Sequence, residues 1–113
     1  MAPLSEFLDH LGRAVPELAH SSEPQPDWLA FRRECETRER AGREEFGDDW
    51  LYRDNAAAGM EEAADGANYA HFEAERIRAN GGDYDEALQL ATIAADHFYR
   101  AHEALQALRS HVS

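Results

Sequence analysis

Between Asp54 and Asn80 small and apolar residues recur with the period of an α-helix, at Met60, Ala63, Ala64, Ala67, Ala70, Ala74 and Ile77. No other stretch constrains the fold as much. A face this smooth lets a second helix approach closely, so the segment calls for a helical neighbour. Asp54 is placed to cap its start. Asn80-Gly81-Gly82 ends it in the manner of a left-handed C-cap. Asp83 and Glu86 then have capping-box spacing, and a last helix follows. Its apolar stripe runs through Tyr84, Leu88, Ala91, Ala95, Phe98, Leu105, Leu108 and Val112.

The N-terminal half reads as helical too, with more interruptions. Leu4, Phe7, Leu8, Leu11 and Val15 form a short amphipathic helix that Pro16 stops, and Glu17 to His20 has room for one further turn. Ser21 to Pro26 is a polar, proline-punctuated linker. Asp27 is the expected N-cap of a second helix carrying Trp28, Leu29, Phe31 and Cys35, which becomes densely charged from Arg32 to Glu45. Gly42 and Gly47 both weaken it, and Phe46, Trp50, Leu51 and Tyr52 form an aromatic cluster near the turn that needs burial. No segment alternates as a strand does. The expectation is an all-α bundle of about four helices, with residues 1–26 as an N-terminal helix and linker and residues 27–113 as the main helical domain.

Composition excludes several function classes. With 113 residues the chain suits one domain. Its net charge is −12, and all eleven basic residues are arginine. Direct nucleic-acid binding is not expected, because it needs clustered positive charge. No apolar run approaches the roughly 20 residues that span a bilayer, and no secretory signal is visible. One cysteine, Cys35, cannot form an internal disulfide, which suits a reducing cytoplasm.

The chemistry concentrates in Glu61-Glu62-Ala63-Ala64-Asp65-Gly66-Ala67-Asn68-Tyr69. Glu62 and Asp65 leave a helix about one turn apart. Such a pair can hold Mg²⁺, which takes one or two carboxylates, its own waters and substrate phosphates. A solvated acidic face is the simpler reading of the same residues. Elsewhere the simpler reading prevails. His97 and His102 are five apart and diverge, so they make no zinc pair. His71 suits packing, Cys35 a small buried hydrophobe, and Arg53, Arg76 and Arg78 pairing with local acids.

Glu62-x-x-Asp65 followed by Asn68-Tyr69 resembles the second metal-binding motif of the MazG-like superfamily of all-α nucleoside triphosphate pyrophosphohydrolases. The resemblance extends over about residues 28–110. It implies an earlier acidic pair on the preceding helix. Glu44-Glu45-Phe46-Gly47-Asp48 resembles the family's Glu-Glu-x-Gly-Glu run, with Asp48 in place of the last glutamate, while Glu36-x-x-Glu39 matches the literal spacing. Both remain open, and Phe46 favours the first. The resemblance implies that Glu45, Asp48, Glu62 and Asp65 hold Mg²⁺ or Mn²⁺, with Glu45, Glu62 and Asp65 catalytic. Asn68 and Tyr69 would contact the nucleotide, and Trp50, Tyr69 and Phe72 are candidates to enclose its base. A nucleoside triphosphate would be cleaved to monophosphate and pyrophosphate in a homodimer or larger assembly. The contrasting expectation is a non-catalytic acidic helical protein that binds a basic partner or mimics nucleic acid.

Overall fold

The computed structural model describes residues 4–16, 23 and 25–111. It is all-α, as the periodicity predicts. Among the described residues there are four α-helices, α1 (Leu4–Ala14), α2 (Pro26–Phe46), α3 (Asn55–Ala79) and α4 (Tyr84–Ser110), with a 3₁₀ turn at Asp49–Tyr52. None of them is long and apolar enough to cross a membrane. Residues 21, 22 and 24 of the linker, the turn expected at 17–20 and Val112 lie outside the described residues. The chain forms two compact units, residues 1–51 and 52–113.

In the first unit α1 lies against α2. Leu8 is its buried anchor. Gly12 lets the Trp28 ring come close, since a Cβ there would stand 3.5 Å from Trp28 Cζ2. Arg32 ties the two helices by charge. Its guanidinium donates to Asp9 Oδ1 at 2.6 Å, to the Ser5 carbonyl at 3.3 Å, and to Glu36 Oε1 one turn away at 3.0 Å. These two carboxylates hold Arg32 above its ordinary pKa, the hydrogen bond it donates to Asp9 contributing most.

The start of α2 differs from the expectation. Gln25 is the N-cap and Asp27 sits inside the first turn. Proline explains the shift: its fixed φ suits the first helical position, where no N–H is needed. Asp27 there still faces the positive end of the helix dipole. The far end is set by Gly47, whose φ of 61° takes the chain out of the helix.

In the second unit α3 and α4 form an antiparallel hairpin. The Asp54 carboxylate caps α3 by accepting from Ala57 N–H at 2.9 Å, and Asp83 caps α4 by accepting from Glu86 N–H at 3.1 Å. The turn between them closes as a Schellman motif. Gly82 N–H donates to the Ile77 carbonyl and Gly81 N–H to that of Arg78, with Gly81 at φ 79°. Tyr84 then folds back, its hydroxyl on Glu75 and the Arg78 guanidinium over its ring at 4.7 Å. At the opposite end Arg109 Nε meets Asp54 Oδ2 at 2.8 Å.

The alanine face does what its smoothness implies. Ala63, Ala74 and Ala87 are buried between the helices. Two glycines of α3 act as notches: a Cβ on Gly59 would stand 2.9 Å from Leu105, and one on Gly66 would collide with the Phe98 ring.

Candidate functional site

Glu62, Asp65, Asn68 and Tyr69 stand on the solvent side of α3, away from the stripe that α4 covers. The stripe includes Ala63, Gly66, Ala67 and Ala70, so the helical period itself turns the acids outward. Neither Glu62 nor Asp65 has an ion-pair partner among the described residues. Aromatic side chains follow on the same helix. Tyr69 is 70% and Phe72 60% exposed. Their rings meet edge to face with centroids 6.5 Å apart, and His71 lies 5.7 Å from Phe72. One turn further on, Glu73 is bound by Arg76, whose hydrogen bonds lower its pKa below the ordinary glutamate range.

The upstream candidates occupy different local settings. Glu36 accepts from Arg32 Nε at 3.0 Å, and Glu39 lies 3.5 Å from Arg43. Both therefore already have a cation one turn away. Glu45 is in the last turn of α2, exposed and without an ion-pair partner among the described residues. Asp48 is also exposed and without an ion pair among the described residues, but it follows Gly47 and lies outside the helix. Glu45 and Asp48 therefore do not share a helical face. They belong to the first unit, whereas Glu62 and Asp65 belong to the second. Within neither unit do three or more His, Cys, Asp or Glu among the described residues form a group that could hold a metal.

No family model matches the chain, and neither does any curated protein or solved structure.

Two roles were not visible in the residue pattern. Gly66, in the middle of the acidic stretch, makes room for Phe98 across the hairpin. Its presence is explained by packing. Asp54 both caps α3 and pairs with Arg109, 55 positions later by the difference of their numbers. A cap can be read from sequence, but a partner that distant carries no local signal.

Proposed function

We propose that the protein is a Mg²⁺-dependent pyrophosphohydrolase that cleaves a nucleoside triphosphate to monophosphate and pyrophosphate. The observation that supports this reading is the division among the acids. Glu34, Glu36, Glu39, Glu73, Asp96 and Glu103 are engaged by arginines one turn away. Glu45, Asp48, Glu62 and Asp65 are not, and neither are Glu44, Asp49, Glu61, Asp85 and Glu86, among the described residues. Carboxylates left without cations are the ones available to a hard divalent ion. In this reading Glu62 and Asp65 bind the metal from α3. The metal neutralises phosphate charge and activates water. Asn68 contacts metal or nucleotide, and Tyr69 and Phe72 offer rings to the base. A homodimer or larger assembly and a cytoplasmic location belong to the same reading.

The exposed position of Glu62 and Asp65, beside uncovered Tyr69 and Phe72, also favours a second reading. In that one the face binds a basic partner and has no catalysis. Glu62→Gln separates the two, since it removes a ligand charge and keeps size and helix propensity. As an enzyme, wild type releases pyrophosphate from a nucleoside triphosphate panel with Mg²⁺, and the variant loses orders of magnitude of that rate. Wild type inert towards the whole panel would refute the enzyme reading.

A further inference from the structure

Of the three asparagines in the chain, Asn80 alone is followed by glycine; Asn55 precedes Ala56 and Asn68 precedes Tyr69. The difference is chemical. The main-chain nitrogen of the next residue is the nucleophile nearest an asparagine side chain, and a residue without Cβ leaves that nitrogen open to approach. Asn80, Gly81 and Gly82 are all exposed, whereas Asn55 and Asn68 lie within α3. The folded turn nevertheless holds the two reacting groups apart. Asn80 Nδ2 donates to the Arg76 carbonyl at 2.9 Å, and Gly81 N–H donates to that of Arg78 at 3.1 Å. With ψ of Asn80 at 12°, the Gly81 nitrogen nearly eclipses the nitrogen of Asn80 itself. Closing a five-membered ring needs it to eclipse Cβ instead, roughly a third of a turn round the tetrahedral Cα. Both hydrogen bonds must break first. They sit at the exposed tip of a helix, where opening takes far less free energy than global unfolding.

We propose that Asn80 is a site of spontaneous deamidation, gated by opening of the turn between α3 and α4, and that its product loosens that turn. The Gly81 nitrogen attacks Asn80 Cγ and forms the new C–N bond. The Cγ–Nδ2 bond breaks, and its electron pair leaves with Nδ2, which takes up the proton lost by Gly81 and departs as ammonia. Water then opens the cyclic imide at either carbonyl, giving aspartate or isoaspartate. Neither product can donate to the Arg76 carbonyl as Asn80 does. Each adds a negative charge at the negative end of the α3 dipole. The nearby arginines are already engaged, Arg76 by Glu73 and Arg78 over the Tyr84 ring. Isoaspartate also inserts a methylene into the main chain, which displaces Gly82 N–H from the Ile77 carbonyl. The proposal rests on none of the chemistry of the functional reading.

Mass spectrometry of the full chain tests both parts. The protein is incubated at neutral and mildly alkaline pH, folded in buffer or unfolded in guanidinium chloride, and then digested with trypsin. Cleavage after Arg78 and Arg100 isolates residues 79–100, in which Asn80 is the one asparagine. Deamidation makes this peptide about 1 Da heavier and splits it into two chromatographic species, aspartyl and isoaspartyl. The folded chain reacts about ten- to a hundredfold more slowly than the unfolded one, as two exposed hydrogen bonds require. Its rate rises in proportion to hydroxide, and Asn55 and Asn68 lag behind Asn80. Asn80→Asp, which carries the charge without the extra methylene, lowers the melting temperature by about 2–5 °C. Four results would each overturn the proposal. They are equal rates in the folded and unfolded chains, an Asn80 still intact after about a hundredfold the time the unfolded chain needs, faster reaction at Asn55 or Asn68, and an unchanged melting temperature of Asn80→Asp.

Discussion

The two classes of glycine in these helices have opposite consequences for substitution. At Gly66 an added methyl meets the Phe98 ring, so Gly66→Ala sets overpacking of about 1–3 kcal/mol against a helix-propensity gain of about 1 kcal/mol. Net loss of stability and a lower urea midpoint are expected. At Gly42 no atom stands within 4 Å of the built Cβ. Gly42→Ala therefore keeps the propensity gain, and its midpoint rises. Equal shifts at both sites would show that Phe98 does not occupy the notch. Asp54 serves as cap and ion-pair partner, so Asp54→Ala costs about 0.5–2 kcal/mol, mostly through the cap. Thermal unfolding with Arg109→Ala as comparison checks the division, since that variant removes only the half-exposed pair. Glu73 is a probe of pH. Its hydrogen bonds from Arg76 lower the folded-state pKa. The favourable interaction is then present above the unfolded-state value and lost as pH falls through the folded one. Carbon-detected NMR titration should find Glu73 ionising below the ordinary glutamate range, and Arg76→Ala should raise it.

Individual elements were legible in the sequence to the extent that their signals are local. Asp54, Asp83 and the Asn80-Gly81-Gly82 stop all act within one helical turn, and each appears where the residue pattern puts it. Asp27 was misplaced as a cap because Pro26 has the stronger claim on the first helical position. The end of α2 was ambiguous for a related reason. Gly42 and Gly47 carry the same propensity penalty, and only a left-handed φ at Gly47 separates them. That difference decides whether Glu45 and Asp48 can form a helical pair, so the candidate site inherits the ambiguity of a boundary. Gly66 and Arg109 were beyond reading, since their partners lie on another helix and depend on interhelical register. For α1 the restraint is Arg32, which reaches both Asp9 and the Ser5 carbonyl. Arg32→Ala should lower hydrogen-exchange protection across residues 5–14 several-fold while the centre of α2 keeps its own. Unchanged protection would assign the docking of α1 to Leu8 and Trp28 alone.

For the whole molecule, an acidic chain without lysine leaves many carboxylates in search of cations. If Glu62 and Asp65 bind Mg²⁺, the ion stabilises the native state by mass action. Calorimetry at matched ionic strength should then show a melting temperature several degrees higher in millimolar Mg²⁺. Glu62→Gln should abolish the increment and raise the metal-free value slightly. A shift that survives Glu62→Gln would place the ion elsewhere.

The Schellman turn at Gly81-Gly82 also governs timing. It joins two long helices through a very short connection, so little loop entropy opposes their meeting. Contacts near the turn are close in sequence, and such local topologies fold in microseconds to milliseconds. Closure can begin where Ile77 and Tyr84 flank the turn and proceed like a zip towards Asp54 and Arg109, the last clasp to form. During synthesis the order is enforced. The notches at Gly59 and Gly66 are made before Leu105 and Phe98 exist to fill them, so the N-terminal half of α3 must wait until the ribosome has released the second half of α4.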